Sequence, residues 1–517
     1  QNVNVVIQGS TSVAETDDNF VCATLDWWPT EKCNYNQCPW GKAGLLNLDL
    51  KKKVLINAIK AFNSLRIKVG GSLQDQVVYG VGEVKNCPNF MKKEGSLFGF
   101  SQGCLPVDRW DELNNFFIQT GVKVTFGLNA LLGRNESQSE KGLWVGDWNS
   151  QNARDFMKYT ICRGYKVDSY EFGNQLSEAG MGARVEAEQY GKDVIVLKNM
   201  VKELHPEPKT QPKVLGPSGF YDEKWFNSIL EVPGQEVVDG VTHHIYNLGP
   251  GDDLNLITKI QDPSYLNQVA QTYRGVFNIV NKFKPQLGAW VSESGGALQG
   301  GAKDVSPTFF DGFWYFDQLG MASTYNHKVF CRQTLIGGNY ALLDTTTFIS
   351  NPDYYGALLW HRLVGSIVLA VTQVSNPNLR VYAHCAKKKP GISIIFIKLS
   401  NDSTFDVTLS SYEHRRRNLR PTDEKYTAKN FAEEFFITWA TQSSVESTRQ
   451  REEYHLTALG GNIQGQIVLL NDVPMVPTDT FDIPAMDPKL VNASTPISVA
   501  AHSIVYVTIR DFHAPVC

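Results

Sequence analysis

The 517-residue chain is too long for one compact core and has the size of one large domain with a smaller companion. Hydrophobic residues make up 42% of it, the net charge is −4 and the pI is near 6.2, so no excess of positive charge offers itself to nucleic acid. No apolar run reaches the ~20 residues that a membrane span needs.

The N-terminal Gln1-Asn2-Val3-Asn4 lacks the charged and apolar regions of a signal peptide, so any such peptide is expected to have been removed already. A short strand-like segment follows at residues 4–9. From about residue 20 to 363, β-branched or aromatic runs alternate with longer stretches of helical period, the signature of repeated βα units. Eight strand-like runs fall at 20–28, 65–72, 123–129, 166–174, 213–219, 240–246, 287–293 and 328–335. Amphipathic stretches at 45–62, 109–119, 153–162, 183–204, 265–283 and 309–322 are long enough to cross back over a parallel sheet. The pattern predicts an α/β fold, a (β/α)8 TIM barrel over residues 18–363.

Beyond residue 364 the texture changes to alternating runs such as 392–398, 466–470 and 503–510, with turn residues between. This predicts an antiparallel β-sandwich domain formed by residues 364–517 together with 1–17. The basic cluster from His414 to Arg417, with Arg420 nearby, lies here and reads as a solvated loop or a patch for acidic glycans.

In a TIM barrel the chemistry sits at the C-terminal ends of the strands. Those ends carry Asp26, Gly70-Gly71-Ser72, Asn129, Asn174-Gln175, His244 to Tyr246, Glu293 and Arg332-Gln333, which sets polar groups from seven strands around one mouth. Retaining glycosidases need two carboxyl groups about 5 to 5.5 Å apart, one as nucleophile and one as proton donor and then base. Strands four and seven face each other across the mouth. Glu293, between a buried strand and the Gly-rich turn Ser294-Gly295-Gly296, is placed as the nucleophile. Position 175, after Gly173-Asn174, is where the acid/base belongs, and it holds Gln. An amide can hydrogen-bond a glycosidic oxygen but has no proton to release and cannot become a base. Binding with poor turnover is expected, whether Gln175 is an engineered replacement or belongs to a natural member with altered catalysis.

Several blocks in order carry a resemblance: Phe126 to Leu132, Tyr170 to Asn174, Val241 to Tyr246, Trp290 to Gly296, and Arg332-Gln333 through Gly338-Asn339-Tyr340. Together they resemble plant members of glycoside hydrolase family 79, the heparanase-like β-glucuronidases, over essentially the full length. The resemblance implies that Gln175 occupies the proton-donor position, that Glu293 is the nucleophile and that Asn174 holds the sugar 2-hydroxyl. It places Asp26 and Ser72 in the sugar subsite, with Tyr246 and His244 beside the catalytic pair. It implies that a uronate carboxylate is held by backbone N–H groups of Gln299 and Gly300 and by the Tyr340 hydroxyl, with Gln333 close by. The expected function is a retaining exo-β-glucuronidase for small phenolic or flavone glucuronides, impaired at position 175. The alternatives are a glucuronidase acting on glycans and a carbohydrate-binding homologue without catalysis. No cofactor, metal, nucleic-acid partner or membrane span is expected. Trp27, Trp28, Trp144 and Trp148 are candidates to stack on an aglycone.

Nine cysteines leave at least one unpaired, and their pairing cannot be read from spacing. Cys33 and Cys38 suit a small disulfide loop or half a zinc site, and no second ligand pair supports zinc. His243 and His244 are neighbours on a strand, point to opposite faces and would not share a metal. Sequons at Asn135, Asn401 and Asn492 suit an extracellular or vacuolar protein, although such triplets occur by chance about this often.

Overall fold

A computed structural model of the chain describes residues 1–177, 182–231, 237–416, 432–438 and 449–517, with the backbone alone for 412–416 and 432–438. Eight parallel strands close into a barrel: Val21–Leu25, Arg66–Val69, Lys123–Leu128, Ser169–Phe172, Lys213–Phe220, Gly240–Ile245, Ala289–Ser294 and His327–Arg332. Each falls within or across one of the eight runs read from the sequence. Helices outside and side chains inside bury both strand faces, so the runs read as nearly continuous apolar stretches. The last strand pairs with the first, Phe330 opposite Val21, and the Cys22–Cys331 disulfide crosses that seam.

The outer helices follow the usual amphipathic rule. Ala270–Phe283 buries Tyr273, Val276, Ile279 and Val280, the spacing of a single helical face. Gly312–Thr324 and Pro352–Leu363 behave differently, being buried on nearly every side, because a second domain covers the faces turned away from the barrel.

That second domain is built on one 12-stranded sheet. The N-terminal strand Asn2–Glu15 belongs to it, pairing antiparallel with Val364–Val374 and parallel with Phe405–Arg416. The sheet is therefore mixed, where an antiparallel domain was expected. No hairpin joins Asn2–Glu15 to Phe405–Arg416, so no turn dictates their relative direction. Strand Ile392–Lys398 shows how the sheet serves two cores through its period of two. Ile394 and Phe396 pack with Val3, Val5 and Val507 inside the sheet domain, while Ile395 and Ile397 join the core shared with the barrel. The side chains from His414 to Arg417, and Arg420, lie outside the described residues.

The cysteines pair as Cys22–Cys331, Cys33–Cys38, Cys87–Cys104 and Cys385–Cys517, and the exposed Cys162 is the odd one. Cys33 and Cys38 thus take the disulfide reading. Asn135, Asn401 and Asn492 are all exposed.

Candidate active site

The C-terminal strand ends enclose a cavity of about 180 Å³. Of the residues expected there, Asp26, Ser72, Gln175, Tyr246, Glu293, Gln299, Gly300, Gln333 and Tyr340 line it. Asn174 and His244 do not reach its wall but lie directly behind it.

The corner after the fourth strand is made by local backbone chemistry. Gly173 has φ +76° and Gln175 φ +56°, so the chain turns sharply through the left-handed region and throws the 175 side chain inward. The Gln175 N–H donates to the Ser218 carbonyl at 2.7 Å and the Asn174 N–H to the Asp75 carboxylate at 2.9 Å. Burial pushes the Asp75 carboxyl up to about 7, against the opposing pull of its N–H donors from Ala130 and Asn174. The Asn174 side-chain Oδ1 is buried and has no hydrogen-bond partner among the described residues.

His244 lies between Gln175 and Glu293. Its Nδ1 lies 2.9 Å from Gln175 Nε2 and 3.8 Å from Glu293 Oε2, so the two groups can be no farther apart than the sum of those distances. That bound admits the double-displacement spacing of about 5–5.5 Å and, at its upper edge only, the shortest of the roughly 6.5–9.5 Å separations of an inverting pair. The Tyr246 hydroxyl donates to Glu293 Oε2 at 2.8 Å. Burial raises the Glu293 carboxyl above its ordinary range, while the Lys68 ammonium and the Tyr246 hydrogen bond work to keep it ionised. Asp26 is pushed up to about 8, first by burial and then by the nearby Glu293, although Gln333 Nε2 donates to its Oδ2 at 2.6 Å. Gly71 has φ +104° and passes so close to Asp26 that a Cβ would collide with its carboxylate, so only glycine serves there.

A turn and a loop complete the cavity. Gln299, Gly300 and Gly301 all have positive φ, which turns the backbone sharply beside Tyr340. Burial raises the Tyr340 hydroxyl well above its ordinary range, as do Asp26 and Glu293, and hydrogen bonds from Gln333 and the Gly300 backbone oppose this. Against the turn lies the Cys33–Cys38 loop, whose Tyr35 hydroxyl donates to Gln299 Oε1. This loop brings Lys32, Asn34 and Trp40 to the cavity, three residues that the strand-end rule could not find. Lys32 is half-buried with its ammonium 4.3 Å from the Trp28 ring centre, and among the described residues it meets no carboxylate at ion-pair distance. Burial lowers its pKa, and the charge of Asp26 pulls the other way.

Two strand-end residues have structural roles and do not face the cavity. Asn129 donates to the Val77 carbonyl at 2.8 Å, and Arg332 is buried between Asp311 and Asp353 at 3.0 and 2.8 Å. His243 points away from His244 and meets His327 at 2.8 Å. Of the tryptophans, Trp28 lines the cavity, Trp27 and Trp148 are buried in the core, and Trp144 lines an adjoining cavity of about 690 Å³ that meets the first at Phe98. No group of His, Cys, Asp and Glu suited to a metal occurs among the described residues.

A barrel with a carboxylate at the end of strand seven and a hydrogen-bonding side chain at the end of strand four has the layout of a glycoside hydrolase site. Residues 2–320 match the family described as "Glycosyl hydrolase family 79, N-terminal domain", and the chain belongs to that family. It is 48% identical to heparanase-like protein 2 of Arabidopsis thaliana over all of this chain and 95% of that one. It is 37% identical to baicalin-beta-D-glucuronidase of Scutellaria baicalensis, over 96% of this chain and 90% of that one. Among solved structures, a 4-O-alpha-L-rhamnosyl-beta-D-glucuronidase from Fusarium oxysporum shares the fold with a TM-score of 0.66 at 14% identity, covering 98% of this chain and 100% of that one.

Proposed function

We propose that the chain is a retaining exo-β-glucuronidase for small, phenolic aglycones, held at low turnover by Gln175. In the reaction Glu293 attacks the anomeric carbon as the bond to the aglycone oxygen breaks, and that oxygen takes a proton from position 175. Water later attacks the glycosyl ester, losing its proton to the same position. Gln175 can serve neither step.

The observation that carries the reading is the small cavity in which Glu293 shares its walls with Lys32, the Gln299–Gly300 turn and Tyr340. At about 180 Å³ it is smaller than the usual ligand pocket of roughly 300–1,000 Å³, which suits one terminal sugar and exo action. An ammonium that meets no carboxylate at ion-pair distance among the described residues, beside a turn of backbone donors, suits an anionic sugar. The baicalin-hydrolysing relative supports a flavone-type aglycone, and Trp144 and Phe98 offer apolar surface for one in the adjoining cavity. A second reading, hydrolysis of a terminal glucuronate on a glycan, is favoured by the size of that cavity, about 690 Å³, and by the Arabidopsis relatives. A binding protein without catalysis would share the same walls.

The test compares the chain with Gln175→Glu on an aryl glucuronide and the matching glucoside. General acid/base help is worth about 10² to 10⁴ in rate, so a rise of several hundredfold is expected for the glucuronide. In that background Lys32→Met should raise the glucuronide KM about tenfold and leave the glucoside unchanged, the loss of roughly one charge-assisted hydrogen bond. Equal kcat/KM for the two sugars would remove the glucuronide reading. No activity in either form would point to the binder, and preference for a glucuronate-ended oligosaccharide to the second reading.

A further inference from the structure

Behind the cavity a buried chain of polar groups runs across four barrel strands. Lys68 Nζ lies 3.1 Å from Glu171 Oε1, the Ser218 hydroxyl donates to the same oxygen at 2.9 Å, and Ser218 Oγ lies 2.9 Å from His244 Nε2. His244 Nδ1 then meets Gln175 Nε2 at 2.9 Å. We propose that Ser218 is a positioning residue for the proton donor: it locks His244 in the tautomer protonated on Nε2, which aims the Nδ1 lone pair at position 175.

Lys68 and Glu171 are both fully buried and paired, and Glu171 Oε1, facing the ammonium, is an acceptor. A serine hydroxyl has a single proton, and the carboxylate is the stronger acceptor, so Ser218 spends it on Glu171. Its oxygen must then accept from His244, which puts the imidazole proton on Nε2 and leaves Nδ1 bare. Burial first, then the charges of Lys68 and His243, hold His244 well below its ordinary pKa, so the ring is neutral and has one proton to place. The charged groups around the ring are Lys68, Glu171 and Glu293. His243, its chain neighbour, turns to His327.

A bare Nδ1 matches a donor at position 175. An amide N–H or an undissociated carboxylic acid fits it, whereas a carboxylate would meet it lone pair to lone pair. The device therefore keeps an acid at 175 protonated until the glycosidic oxygen takes the proton, and makes the carboxylate left behind a stronger base for the water step. It also explains the orientation of Gln175, whose amide nitrogen is turned to the imidazole. This inference rests on position 175 being the acid/base position.

Ser218 has φ +55°, where glycine is at ease, so Ser218→Gly removes the hydroxyl without disturbing the backbone. The first measurement is nitrogen-15 NMR of labelled histidine in the present chain, with the His244 signals assigned by their loss in His244→Asn. The expected result is protonation on Nε2, and a shift of the proton toward Nδ1 in Ser218→Gly. The second is the pH profile of kcat/KM for an aryl glucuronide in Gln175→Glu, with and without Ser218→Gly. Freed to protonate Nδ1, His244 would stabilise a carboxylate at 175, so the upper limb should move down by about one pH unit while the lower limb, set by Glu293, stays. An imidazole protonated on Nδ1 in the present chain, or an upper limb that does not move, would overturn the proposal. If Gln175→Glu gains no activity, the acid/base reading fails instead, and the tautomer measurement still decides the role of Ser218.

Discussion

At the scale of single residues, the mouth of the barrel packs more carboxyl groups than it can keep ionised. Asp26 and Glu293 are both raised by burial, and Glu293 pushes Asp26 further, to about 8. In the unfolded chain an aspartate titrates near 3.9, so folding holds a proton that the unfolded state gives up across the window from about pH 4 to 8. A group raised in this way contributes its stability below pH 4 and loses it as pH climbs to 8, by up to about 1.4 kcal/mol per unit. Asp26→Asn should therefore match the parent melting temperature near pH 4 and exceed it by about 3 °C or more at pH 8. Parallel melting profiles across that window would show that Asp26 is ionised in the folded chain. Asp26, Gln175 and Glu293 were legible because a barrel strand end is an address that sequence periodicity reveals. The same rule over-read Asn129 and Arg332, since it gives a residue's height in the barrel but not which neighbour claims its side chain first.

At the scale of elements, the loop from Trp28 to Trp40 escaped the sequence because it has no period and reaches the site through contacts with turns some 260 to 310 residues away. Its shape comes from the Cys33–Cys38 bridge, reciprocal N–H···O bonds between Asn34 and Gln37, and positive φ at Tyr35 and Asn36. It is then pinned by Tyr35 to Gln299, by the Gly338 N–H to the Pro39 carbonyl at 3.2 Å, and by Trp40 edge-on to Tyr340. Replacing both cysteines by serine should loosen Lys32 and the Gln299 turn while leaving the barrel intact. Measured in the Gln175→Glu form, KM for an aryl glucuronide is expected to rise about tenfold, equivalent to roughly 1.4 kcal/mol, with kcat within about twofold. An unchanged KM would mean that the loop holds its shape without the bridge and that the disulfide is incidental to binding. The helix Pro352–Leu363 was missed for a related reason: it is buried all round, so its sequence lacks the polar face by which helical period is recognised.

At the scale of the whole molecule, the chain starts in the sheet domain, builds the barrel from one continuous stretch and returns, so the sheet is made from two separated segments with the barrel between them. The dependence runs through two barrel helices. Asp317, on the helix Gly312–Thr324, accepts from Arg380 at 2.8 Å and from Tyr382 at 2.6 Å, and Tyr382 packs so closely on Gly320 that a side chain there would collide. Tyr506 donates to the Gly356 carbonyl at 2.9 Å, and Ile395, Ile397, Ile504 and Tyr506 of the sheet belong to the same core cluster as the barrel. Stripped of the sheet, the barrel would expose these apolar faces and leave Asp317 without Arg380 and Tyr382, and the exposed apolar area favours association over folding. Residues 18–363 expressed alone are accordingly expected to be insoluble, or to bind a hydrophobic dye with weak near-ultraviolet dichroism, whereas the full chain stays native. A soluble barrel fragment that melts cooperatively at the temperature of the whole chain would show that the sheet is an attachment. The other outcome would make it part of the barrel's own wall.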